Sequence, residues 1–141
     1  MLSHPISKGS AMLRPSLSAL AALTLLSTQL RAQQYILTDQ RPISAVIADL
    51  KAAAPQTRNA AAYTLSGMGP KAAPAVPALI EALSDEAATV RFPVCVALRE
   101  IGPAASAALP ALEKALDDPN DDVAAMAQKA IDKIKGTEGS N

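Results

Sequence analysis

Gly69-Pro70 and Gly102-Pro103 stand 33 residues apart, and nearly everything after residue 42 obeys the same interval. It carries Val76-Pro77-Ala78-Leu79 onto Leu109-Pro110-Ala111-Leu112, Leu83 onto Leu116, Asp85 onto Asp118, Val90 onto Val123, Leu98 onto Ile131 and Ile101 onto Ile134. Moving 33 residues toward the N-terminus gives Ile43, Val46, Leu50, Arg58, Leu65 and Met68 without a gap. Three copies in strict register, about 43–69, 70–102 and 103–136, mark a stacked array in which each unit buries its apolar face only against its neighbours.

Each copy reads as two helices. Val76, Leu79, Ile80 and Leu83 form one apolar stripe, and Leu109, Leu112 and Leu116 repeat it. Pro77 and Pro110 fall early in this first helix, so it is expected to be kinked or to follow a short turn. Ser84-Asp85 and Asp117-Asp118-Pro119-Asn120 supply turn chemistry. The second helices are expected from about residues 56, 89 and 121. Leu65, Leu98 and Ile131 should fall in one buried column. Pro93 is read as a first-turn proline, Gly69, Gly102 and Gly136 as C-terminal caps, and Thr38 or Asp39 as the cap of a first helix with Pro42 in its opening turn. Residues 137–141 read as a frayed polar tail.

The expected fold is all-α, a right-handed α-solenoid of three antiparallel helix pairs. Composition agrees: half of the residues are apolar and only 2% aromatic, with alanine supplying much of the apolar share. Such a chain favours closely packed helices over sheets. With 13 basic and 13 acidic residues, no net field attracts nucleic acid or an anionic membrane.

Residues 1–32 lie outside the repeat. Lys8 and Arg14, the apolar run Leu17–Leu26, the polar Ser27-Thr28-Gln29 and a cleavage point after Ala32 read as a secretory signal peptide. Leu30, three residues before the cut, and Arg31 depart from the usual pattern, and Met12 would give a start of conventional length. The apolar run is too short to span a bilayer, which needs about 20 such residues. Export to the periplasm or the extracellular space is the expectation, with membrane contact only in transit. Residues 33–42 read as a connector whose Tyr35, Ile36 and Leu37 cover the open end of the array.

Ile101-Gly102-Pro103, Leu109-Pro110-Ala111-Leu112, Leu116, Asp118 and Val123 resemble HEAT repeats of the compact, bacterial, phycobilisome-lyase-like type. The central copy is the most similar, with Val76-Pro77-Ala78-Leu79-Ile80, Asp85, Val90-Arg91 and Ala97-Leu98-Arg99-Glu100-Ile101-Gly102. Ankyrin repeats share the period but carry a Thr-Pro-Leu-His signature absent here, and tetratricopeptide repeats need spaced aromatics. The resemblance implies a ladder between copies: Asp85 with Arg58 or Arg91, and Asp118 with Arg91. Ala52 and Ala124 interrupt it at the two ends.

The outward positions of the second helices fall into columns: Asn59, Phe92 and Ala125; Tyr63, Val96 and Lys129; Ser66, Arg99 and Asp132. Phe92 and Tyr63 with Val96 between them read as an apolar patch rimmed by Arg99 and Lys129, a composition that suits protein recognition. Phe92 folding back over an alanine-thinned core is the competing reading. Cys95, the only cysteine, is expected on the outer side of its helix and partly exposed, and the only histidine, His4, lies outside the array. No metal or cofactor site and no catalytic set is expected; HEAT-like di-iron hydroxylases need paired His-Glu motifs that this sequence lacks. Asp117-Asp118 and Asp121-Asp122 read as capping and dipole-matching residues. The sequence reading is therefore a non-enzymatic, exported scaffold that binds a protein or peptide through Asn59, Tyr63, Phe92, Val96, Arg99 and Lys129. A bilin lyase or lyase accessory is the alternative that the resemblance implies, and a self-associating structural module is a third.

Overall fold

A computed structural model describes residues 16–38 and 41–139. The chain divides into two compact units, residues 1–40 and 41–141. In the second unit the helices are α2 (Ile43–Asp49), α3 (Pro55–Met68), α4 (Val76–Ala82), α5 (Ala88–Ile101), α6 (Leu109–Ala115) and α7 (Asp121–Lys135). The 3-10 segments Gly69–Ala75 and Gly102–Ala108 precede α4 and α6. Every element of the first two copies reappears 33 residues later, so the period in the sequence is the period of the structure. Each first helix packs on its own second helix, and α3, α5 and α7 form one layer with α5 in the middle.

The expected turn before the first helix is the 3-10 segment, and Pro77 and Pro110 sit in the opening turns of α4 and α6, where no helical amide is lost. Gly69 and Gly102 end α3 and α5 with φ of 55° and 72° and ψ near the extended range, a combination open almost only to glycine. Gly136 ends α7 in the left-handed region with its amide on the Asp132 carbonyl. Val46, Leu79 and Leu112 form one buried column of the first-helix layer, and Leu65, Leu98 and Ile131 form the matching column of the second. Between them the core is filled with small residues such as Ala72, Ala75, Ala105 and Ala108, which let the layers approach closely.

Three local readings are corrected. Pro42 stands at the N-cap position of α2 with no side-chain cap; Thr38 belongs to the preceding helix, and Asp39 lies outside the described residues. Pro93 is inside α5 and buried, not in its first turn, because that helix already starts at Ala88. The side chain that caps α7 is Asn120, accepting the Asp122 and Val123 amides at 3.1 Å each, while Asp121 and Asp122 occupy the first turn. At the start of the tail the Thr137 amide reaches the Asp132 carbonyl, and Glu138 pairs with Lys133 at 3.0 Å and Arg99 at 3.3 Å.

The first unit contains α1 (Leu17–Thr38), which runs through the expected cut at Ala32 and takes in much of the expected connector 33–42. Ser27 and Thr28 do not break it, because their hydroxyls donate back to the Thr24 carbonyl one turn earlier. Leu23, Leu25 and Leu26 are exposed. His4, Lys8, Met12 and Arg14, and the side chains of Tyr35, Ile36 and Leu37, lie outside what is described. The run Ala88–Ala115 has the length and composition to cross a membrane, yet half of its apolar 18-residue window is buried.

Candidate functional site

The second-helix layer is held in register by two bidentate ion pairs. Arg58 reaches Asp85 through Nε–Oδ2 at 2.6 Å and Nη2–Oδ1 at 3.0 Å, and Arg91 repeats this on Asp118 at 2.7 and 2.9 Å. The third guanidinium nitrogen of each works on its own copy. Nη1 of Arg58 donates to the Ala52 and Ala53 carbonyls, and Nη1 of Arg91 to those of Asp85 and Glu86. Asp85 therefore meets both arginines, Arg58 by its carboxylate and Arg91 by its carbonyl. Where the first copy has Ala52 in place of an aspartate, the backbone carbonyl serves as acceptor.

These groups are nearly buried, so their charges interact strongly. At Asp85, burial pushes the carboxyl up, but the Arg58 hydrogen bond, the Ala87 amide and the two arginine charges outweigh it and leave it below the ordinary carboxylate range. At Asp118 the Arg91 hydrogen bond leads, against burial, in the same direction. Both arginines are raised, chiefly by the hydrogen bonds to their aspartates. This network joins the inter-helix turns of three successive copies and leaves the outer surface of the layer free to form a site.

On that surface lies an open groove of about 490 Å³ lined by Asn59 and Tyr63 of α3, Thr89 and Phe92 of α5, and Asn120 and Asp122 at the start of α7. Tyr63 is 49% exposed, and Phe92 is half-buried, packing on the core beneath while lining the groove above. The two readings of Phe92 are thus both partly realised. Asn59 donates its side-chain amide to the Thr89 carbonyl.

The structure brings Asn59, Tyr63 and Phe92 together and leaves Val96, Arg99 and Lys129 out of the groove. The expected columns run straight across at intervals of 33, but lateral neighbours here are offset by about one helical turn: Asn59 meets Thr89, and Phe92 lies beside Asp122. The groove is thereby shifted toward the helix N-termini, and its charged rim is acidic, not basic. Val96 is half-buried, Lys129 is exposed, and Arg99 is occupied by Glu100 and Glu138. Thr89, Asn120 and Asp122 were not foreseen. A usable signal was Pro93, whose missing amide leaves the carbonyl of Thr89, four residues earlier, open to a neighbour.

Cys95 also departs from expectation, being wholly buried. α3 packs on α5 and α5 on α7, and at the equivalent positions Ala62 and Cys95 are buried while Gln128 of the third copy is exposed. Burial pushes the thiol up to about 12, aided by the Asp118 charge and opposed by Arg91, so it is no nucleophile at neutral pH. Among the described residues no three His, Cys, Asp or Glu converge as metal ligands.

No curated protein matches the chain. A family model described as HEAT repeats matches residues 43–132, over half of the chain and nearly the whole span in which the helix pairs recur. HEAT repeats generally mediate protein–protein interactions and are non-catalytic. On the match and the stacked helix pairs together, the chain belongs to the HEAT-repeat family.

Proposed function

We propose that this chain is an exported interaction scaffold that holds a segment of a partner protein in the groove of its second-helix layer. The observation that carries the reading is the groove itself, where an exposed tyrosine and a half-buried phenylalanine stand on a layer fixed by two ion-pair rungs. Aromatic anchors on a rigid support favour binding because little side-chain freedom is lost on association. Export is supported by α1, an apolar helix in a unit of its own with three exposed leucines. The buried, weakly acidic Cys95 thiol gives no support to the lyase alternative.

The test is affinity capture with the tagged full chain, comparing it with Tyr63→Ala/Phe92→Ala and with Lys114→Glu on the first-helix layer. A partner lost only in the aromatic variant, with unchanged circular dichroism, supports the groove. A partner lost only with Lys114→Glu moves the site to the other layer. N-terminal sequencing of protein from the cell envelope checks cleavage after Ala32, and a chain found only in the cytoplasm with an intact N-terminus overturns export.

A further inference from the structure

Asp122 is the one formally charged residue among those lining the groove. One N–H of the Asn59 amide is committed to the Thr89 carbonyl, so Asn59 has left for a ligand its second N–H and its oxygen, an acceptor. Asp122 lines the same groove, and neither it nor its exposed neighbour Asp121 has an ion pair among the described residues. The starts of α5 and α7 each contribute about +0.5 of an elementary charge, too little to cancel two carboxylates. Arg58 and Arg91 are spent on the ladder and Arg99 on Glu100 and Glu138, while Lys129, exposed farther along α7, does not line the groove. A negatively charged rim beside Tyr63 and Phe92 fits a planar cation that can lie on an aromatic face while donating to acceptors at its edge.

Given the interaction reading on which this rests, we propose that the groove recognises an arginine side chain on an extended segment of the partner protein. Its guanidinium lies against the aromatic pair and donates to the Asp122 carboxylate and the Asn59 oxygen. A volume of about 490 Å³ accommodates such a side chain with a short length of its backbone. Lysine fits less well, since its ammonium is a more strongly hydrated point charge and cannot stack.

The test is an NMR titration of the ¹⁵N-labelled full chain with the capped pentapeptide Gly-Ala-Arg-Ala-Gly and its versions with lysine or alanine at the centre. The arginine peptide is expected to shift the amides of Thr89, Phe92 and Asp122 and to bind about tenfold tighter than the alanine peptide and about threefold tighter than the lysine one. Asp122→Asn should lower the arginine affinity about fivefold and leave the alanine peptide unchanged. Equal binding of all three peptides, or shifts confined to other surfaces, overturns the proposal. So does lysine binding as tightly as arginine. If the peptides show no preference while Tyr63→Ala/Phe92→Ala still loses a captured partner, the arginine assignment falls and the interaction reading stands.

Discussion

Asn59 donates its side-chain amide to the carbonyl of Thr89, the group that Pro93 leaves without its helical donor. A proline inside a helix removes one amide and leaves the carbonyl four residues earlier unpaired. Here the adjacent copy supplies the missing donor, so a defect within α5 becomes a tie between α3 and α5. Asn59→Ala should destabilise the chain by about 1 kcal/mol. In a Pro93→Ala background, where the restored backbone amide can reach the Thr89 carbonyl, the same substitution should cost less. A double-mutant cycle by urea unfolding measures the coupling, and a coupling of zero removes Asn59 from this role.

Two glycines near the end of α3 should respond in opposite directions. Gly67 is exposed within the helix and has open space where a Cβ would go, so Gly67→Ala should stabilise by about 0.5–1 kcal/mol through helix propensity. Gly69 has φ of 55°, and Gly69→Ala should cost about 1–3 kcal/mol through backbone strain, although its Cβ would meet nothing closer than the Glu100 carbonyl at 3.8 Å. Thermal melts of both variants check the signs, and a neutral Gly69→Ala would contradict the backbone argument.

The Asp118–Arg91 rung makes stability depend on acid. The Asp118 carboxyl is held below its value in the unfolded chain, chiefly by the Arg91 hydrogen bond. Its contribution is therefore fully present above the unfolded pKa of about 3.9 and is lost as pH falls through the lower folded value. Asp118→Asn should cost about 2 kcal/mol at pH 7 and flatten the acid limb below about pH 4. Urea melts at pH 7, 5 and 3 test this. An equal deficit at all three would mean that the charge of Asp118 is not what stabilises.

The Cys95 thiol, pushed up to about 12 by burial, should resist modification in the folded chain. At pH 8 the thiolate fraction is about a thousandfold below that of a free cysteine near 8.5. Labelling by a disulfide reagent should therefore be slow in buffer and accelerate in urea in step with unfolding. Fast labelling of the native chain would place the thiol at the surface.

How much of this was legible follows from what the period does and does not encode. A strict interval of 33 specifies which residues are equivalent, and so Leu65, Leu98 and Ile131, the three helix pairs and the glycine stops could be read directly. It does not specify how one copy slides along the next. That offset, visible where Asn59 meets Thr89, arises from side-chain packing between α3 and α5. It moved the groove toward Asp122 and left Arg99 and Lys129 outside. The depth of Cys95 was missed for a related reason: a helix in the middle of a stack is covered on both flanks as well as on its inward face.

The two ends of the array differ from its middle at those flank positions, and this bears on self-association. At the first end Thr64 stands where the later copies have buried Ala97 and Ala130, and Asp49 where they have buried Ala82 and Ala115. At the last end Gln128 replaces the buried Ala62 and Cys95, and Glu113 replaces Ile47 and Ile80; Gln128 bonds to Asp132 at 2.9 Å and Glu113 approaches Lys135 at 3.5 Å. Each end thus carries polar groups where an added copy would require small or apolar ones, and burying a charged or amide side chain there without partners would be costly. Only Leu116, 37% exposed where Leu50 and Leu83 are buried, leaves its column open. End-to-end stacking is therefore opposed, and the chain should sediment as a monomer at concentrations where an unprotected array would associate. Restoring the mid-array residues at both ends, Thr64→Ala and Asp49→Ala with Gln128→Cys and Glu113→Ile, should produce concentration-dependent association by sedimentation velocity. A wild-type chain that already associates end to end would show that these substitutions do not close the array.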